Sequence, residues 1–167
     1  METTISELGA MPAIGEAPDP VRAAGEALIE VVVAPLNPID INVGAGRYFG
    51  GTPPFPYVPG CEGVGRVVEA ESLAPGTLVW ANGGGMGLRR DGALADLFAV
   101  SEDVPVPLPE GTDPLLAGAL GIAGLAGWLP VAYRSPVREG ETVLVLGATG
   151  TVGVVALQAA RILGAGR

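Results

Sequence analysis

The chain has 167 residues, of which 49% are apolar, enough to build a core and too many for a disordered segment. It has no histidine and its nine basic residues are all arginine, which excludes a Ser-His-Asp triad, a histidine general base, a lysine Schiff base and a P-loop lysine. A single cysteine without histidine cannot assemble a Cys/His zinc site or an internal disulfide, and a net charge of −9 has the wrong sign for a nucleic-acid partner.

The first 27 residues lack a clear period and are broken by Pro12, Pro18 and Pro20. Leu28 to Leu36 is rich in β-branched residues and reads as a strand that ends at Asn37-Pro38. Gly44 to Gly60 reads as a loop, punctuated by Pro53, Pro54, Pro56 and Pro59. Further strands are expected over Val64–Ala70, Thr77–Ala81 and Ala93–Val100, with a short edge strand over Val104–Leu108.

The pattern changes near Glu110. Asp113-Pro114 is a helix start, with Asp as N-cap and Pro at the first helical position, and a helix is expected from Pro114 to Leu129. Val143 to Leu146 is apolar at every position, like a strand buried on both faces of a parallel sheet. A second helix is expected over Thr151–Leu163, with Gly164 as its terminator. The expected boundary puts a β-rich domain over residues 1–112 and the opening of an α/β domain over residues 113–167.

Two stretches, between Asp113 and Arg134 and between Glu141 and Arg161, are long enough without charge to imitate membrane spans. Their repeated glycines and the Leu129-Pro130 break favour buried helices of a water-soluble fold. The first ten residues carry no basic residue and do not resemble a signal peptide, so the expected location is cytoplasmic, with no membrane and no nucleic-acid partner.

The sharpest local motif is the turn Gly147-Ala148-Thr149-Gly150-Thr151-Val152-Gly153, between the apolar strand and the second helix. Glycines at this spacing permit a tight turn, close approach of backbone to a pyrophosphate, and close helix–strand packing. Free N–H groups at the helix start then face the phosphates. These seven residues are the candidate cofactor-binding set. The acidic residue that reads the ribose falls roughly 20 residues beyond such a turn in these folds, outside residues 1–167.

Several motifs then fall in one order: Asn37-Pro38-Ile39-Asp40, Gly46-Arg47-Tyr48, Pro56-Tyr57-Val58-Pro59-Gly60-Cys61-Glu62-Gly63-Val64-Gly65, Gly92-Ala93-Leu94-Ala95-Asp96-Leu97, Val106-Pro107-Leu108-Pro109 and the Gly147 turn. From about Glu26 onward the chain resembles the N-terminal half of medium-chain dehydrogenases/reductases, and within them the zinc-free quinone oxidoreductase (zeta-crystallin-like) branch. The resemblance implies a β-rich GroES-like domain, a distorted β-barrel, followed by the first strand-turn-helix unit of an incomplete Rossmann α/β domain. It also implies a truncated relative, with homo-oligomers expected only of a longer chain.

In zinc-using relatives a catalytic cysteine stands at the position of Asn37 and a histidine at that of Cys61, so no zinc or other metal is expected here. The resemblance implies hydride transfer from NADPH, with NADH as the alternative, to a small-molecule quinone or α,β-unsaturated carbonyl (enone). Without a metal, hydrogen-bond donors must polarise the carbonyl. The candidate catalytic residues are Asn37 as donor, Tyr48 as hydrogen-bond or proton donor, and Asp40, which fixes the loop. Asn37 also reads simply as an Asn-Pro turn residue, and Tyr48 as an aromatic wall. The alternative function is a non-catalytic fragment or a GroES-like interaction module.

Overall fold

The computed structural model describes residues 1–167 throughout. The chain divides into two compact units, Met1–Gly118 and Ala119–Arg167, a division a few residues beyond the expected 112/113 boundary.

The first unit holds two sheets, a short helix between strands and the start of a second helix. Strands β1 (Glu2–Thr4) and β2 (Ala13–Gly15) form a small antiparallel hairpin. Five strands make the main sheet: β3 (Glu26–Val33), β4 (Glu62–Glu69), β5 (Leu78–Asn82), β6 (Leu97–Ser101) and β7 (Pro105–Pro107), in the order β6-β3-β4-β5-β7. Every neighbouring pair is antiparallel. Proline-bounded β7 sits at the sheet edge, where a missing N–H costs nothing. Alternating inward residues build the core: Ala27 and Ile29, Val67, Val79 and Ala81, Phe98 and Val100, closed by Met86 and Ala93.

Three elements differ from the sequence expectation in this unit. The hairpin β1–β2 was not expected, because three-residue strands are too short to show alternation. A short helix α1 (Pro38–Gly44) begins where only a strand end was read. The strand expected over Ala93–Val100 starts at Leu97, because Gly92, Ala93 and Leu94 donate their N–H groups to Val58, Gly60 and Pro59 instead.

The helix expected over Pro114–Leu129 is two helices, α2 (Pro114–Leu120) and α3 (Ile122–Leu129). Asp113 caps α2 as expected, its Oδ1 accepting the Leu115 N–H at 2.9 Å. The break falls at Gly121, whose φ of −55° and ψ of −115° no helix accommodates. A π-helical turn, Pro130–Arg134, follows α3.

In the second unit α3 packs on α4 (Thr151–Ile162). A Cβ at Gly127 would lie 2.6 Å from the Val152 carbonyl oxygen, so glycine sets how closely the helices approach. Helix α4 ends in a Schellman motif: Gly164 has φ +99°, its N–H donates to Arg161 O, and Ala165 N–H donates to Ala160 O. Residues Val143–Leu146, expected as a strand, form none, and Leu144 and Leu146 are exposed. A strand exists only when neighbours supply its ladder, and of these four residues only Val143 has a backbone partner. No single helix is long and apolar enough to cross a membrane.

Candidate active site

Helix α1 places the first group of residues. Asn37 takes the N-cap position in extended conformation and Pro38 supplies a preset φ at N1. Asp40, at N3, reaches back so that its Oδ2 accepts the Asn37 backbone N–H at 2.8 Å. Its Oδ1 accepts the Cys61 N–H at 2.9 Å. Asp40 is buried, and both of its oxygens tie the start of α1 to the start of β4.

Glu62 opens β4 and is also buried, at 1% exposure. Its Oε1 accepts from Asn37 Nδ2 at 2.7 Å and its Oε2 from Trp80 Nε1 at 2.8 Å. Position 62 faces inward, and β4–β5 pairing brings Trp80 within reach. These neutral donors stabilise the buried carboxylate in place of water. Asn82 Nδ2 donates to the Cys61 carbonyl at 2.7 Å and closes the same corner. Burial and the Asp40 and Glu62 carboxylates push the Cys61 thiol well above its usual range, so it stays protonated.

Tyr48 stands apart from this corner. Its ring folds over Gly50, where a Cβ would lie 2.5 Å away, and packs at a tilt on Phe49 with centroids 4.7 Å apart. It flanks a second small core of Ile5, Val43 and Tyr57. The structure therefore brings Asn37 and Asp40 together and adds Glu62 and Trp80, two partners that sequence reasoning did not assign to them. A carboxylate opening an otherwise apolar strand was the available signal for Glu62; Trp80 carried none until the β4–β5 register was known. No group of three or more His, Cys, Asp or Glu side chains is placed to hold a metal ion.

The glycine turn lies in the second unit. Gly147 has φ +71°, a conformation that disfavours any side chain. A Cβ at Gly153 would lie 2.3 Å from Gly147 O, so turn and helix could not close on a larger residue. Gly150 has neither constraint: its φ is −80°, and a Cβ would meet only Gly147 O, at 3.6 Å. No side chain caps the N-terminus of α4. The turn thus leaves open space beside Gly150, at the positive end of a twelve-residue helix.

Known proteins resemble this chain in sequence and fold. Residues 23–110 match the alcohol dehydrogenase GroES-like domain family. The quinone oxidoreductase of Sus scrofa is 31% identical over 150 residues, covering 87% of this chain and 44% of the relative. The chloroplastic NADPH-dependent alkenal/one oxidoreductase of Arabidopsis thaliana is 33% identical over 147 residues, covering 81% of this chain and 37% of the relative. The quinone oxidoreductase of Thermus thermophilus, whose structure was also solved with NADPH, superposes with a TM-score of 0.81 at 32% identity, over 98% of this chain and 50% of that one. The chain therefore spans about half the length of the proteins it matches. With a β-rich domain of this topology leading into a partial Rossmann unit, the chain belongs to the alcohol dehydrogenase GroES-like domain family, on the quinone oxidoreductase-like side of the medium-chain dehydrogenases/reductases.

Proposed function

We propose that the chain carries the N-terminal share of an NADPH-dependent reductase acting on a quinone or an α,β-unsaturated carbonyl without a metal. The observation that carries this reading is the glycine turn. Gly147 and Gly153 are required by backbone conformation and packing, whereas Gly150 borders open space at an uncapped helix start. A pyrophosphate fits there, because it needs close backbone approach and unoccupied N–H donors. The solved Thermus relative with NADPH points to the same cofactor class, with NADH as the alternative.

Bound NADPH would supply a hydride, two electrons and a proton's nucleus, to the electrophilic carbon, while solvent provides the balancing proton. In this chain Thr151, Val152 and Gly153 would present backbone N–H groups to the cofactor phosphates, and Ala148 and Thr149 would shape the turn. Asn37 would offer its carboxamide to the substrate oxygen as charge develops. Glu62 holds that carboxamide through Nδ2, and Asp40 holds the backbone that carries it, so Asp40 acts as a positioning residue. Tyr48 would line the substrate side as an aromatic wall or hydrogen-bond donor.

The test is NADPH oxidation with a quinone or an enone as acceptor, using cofactor deuterated at the transferred position. Turnover above the protein-free rate, deuterium in the reduced enone and a loss of at least tenfold in Gly150→Val support the reading. Product without deuterium, or turnover in Gly150→Val equal to the parent's, contradicts it.

A further inference from the structure

The turn after α1 fixes one arginine on the helix that starts at Asn37. Ala45 N–H donates to Ile41 O at 3.0 Å and Gly46 N–H to Val43 O at 2.9 Å, which closes α1. Gly46, at φ +69°, then takes the left-handed conformation that reverses the chain. The reversal lays Arg47 back on Asn42 twice. Its N–H donates to Asn42 O at 2.7 Å, and its Nε donates to Asn42 Oδ1 at 3.3 Å. Asn42 lies five residues beyond the Asn37 N-cap, a rise of about 7.5 Å along α1.

The Arg47 guanidinium is held, but the fold does not consume it. It bonds a side-chain amide and no α1 carbonyl, so it does not cap the end of the helix. Its side-chain partner is neutral, whereas Arg22 and Arg90 pair with the Glu69 and Glu26 carboxylates. With Nε engaged, the two Nη groups form an end-on fork that matches two oxygens of a carboxylate or sulfonate. Asn42 has already restricted the side chain, so binding removes less of its rotamer freedom. The two residues that follow are aromatic, with Tyr48 and Phe49 packed at a tilt and their ring centroids 4.7 Å apart. A guanidinium fork followed by two aromatic rings suits a planar acid.

We propose that Arg47 is a specificity residue that selects acceptors carrying a carboxylate or sulfonate, set about one ring system away from the carbonyl that Asn37 would polarise. The substrate class is then an acidic quinone or an acidic aryl enone, and Asn42 is the positioning residue for the fork. With a net charge of −9 the protein does not steer anions by its overall field, so the selection rests on this local cation. The acceptor class rests on the proposed reductase reading, but anion selection is measured without NADPH, so the two can fail separately.

The probes are benzylideneacetone with a para carboxylate and the methyl ester of that acid, which share the enone and differ in charge. Each is titrated calorimetrically into the protein without cofactor. The acid should bind roughly tenfold more tightly than the ester, the size of one charge-assisted hydrogen bond, and the difference should shrink as salt rises. Arg47→Gln should bring the two affinities within about twofold, because the fork is lost. Arg47→Lys keeps the charge without the fork and should hold an intermediate preference. Asn42→Ala, which frees the guanidinium, should lower the preference by roughly threefold. Equal affinities in the parent, binding of neither probe, or a preference that survives Arg47→Gln would overturn the proposal. A preference for the acid in a protein that oxidises NADPH with neither enone would support the anion site and count against the reductase reading alone.

Discussion

Asn37 Nδ2 donates to Glu62 Oε1 across 2.7 Å, and both side chains are buried. This bond joins the N-cap of α1 to the first residue of β4, and the Asp40 bonds to Asn37 and Cys61 run beside it. The Asn37 amide thus serves first to satisfy a buried carboxylate.

Asn37→Asp tests that role. The new carboxylate would face Glu62 at hydrogen-bond distance, and two such groups cannot both ionise cheaply. The folded pKa of the pair rises above the unfolded value near ~4. The cost is therefore absent below pH ~4 and grows as pH rises toward the folded pKa. Denaturant unfolding at neutral pH should show a loss of about 3 kcal/mol relative to the parent protein, shrinking at pH ~4. A loss independent of pH would show that Asn37 and Glu62 are not coupled.

Tyr57 gives a prediction of opposite sign. Its ring is buried beside Ile5 and Val43, and its hydroxyl has no hydrogen-bond partner. Burial and the nearby Asp40 push its pKa up, so the hydroxyl stays neutral. Removing an unsatisfied buried hydroxyl relieves its desolvation cost, of order 1–3 kcal/mol. Tyr57→Phe should therefore raise stability by about 1 kcal/mol in chemical denaturation. A decrease of similar size would mean that the hydroxyl is bonded in solution.

Cys61 should be inert in the native protein. Its thiol is buried and its pKa is raised by burial, Asp40 and Glu62. Alkylation by iodoacetamide should proceed only as fast as the domain opens, and should accelerate sharply in denaturant. The unfolded thiol ionises near pH ~8.5 while the folded one does not. The Cys61 contribution is therefore intact below that pH and is lost as pH rises above it. Cys61→Ala should flatten this alkaline decline, and an unchanged decline would assign it to another group.

Gly153 and Gly150 should separate fold from ligand. Gly153→Ala places a methyl group against the Gly147 carbonyl and should cost about 1–3 kcal/mol as the turn shifts. Gly150→Ala should cost less, about 0.5–1 kcal/mol, because its Cβ meets nothing closer than 3.6 Å and only the N-cap preference for glycine is lost. Thermal unfolding of the two variants, followed through the α3–α4 unit, gives the comparison. Equal losses would mean that Gly150 is also demanded by the fold.

Much of this was legible in the sequence. β-Branched runs bounded by Pro and Gly located the four longer strands of the main sheet, Asp113 and Gly164 marked helix ends, and the ordered motifs identified the family. The rest needed tertiary information. The β1–β2 hairpin and α1 are too short to carry a period. The shift of β6 depends on Gly60, whose φ of +106° lets residues 58–60 take the N–H groups of Gly92, Ala93 and Leu94. Val143–Leu146 has strand composition, yet composition cannot supply the neighbours a strand requires. Asn37 and Asp40 stood out as site residues, but Trp80 entered only through its register opposite Val64.

The most direct measurement is an NADPH titration of this protein beside Gly150→Val, read by the fluorescence of the bound nicotinamide. Saturable binding is expected, weakened at least tenfold in Gly150→Val, while thermal unfolding shifts by only a few degrees from the lost glycine N-cap. Equal binding by both proteins, or none by the parent, would contradict the assignment of the Gly147–Gly153 turn as the cofactor site.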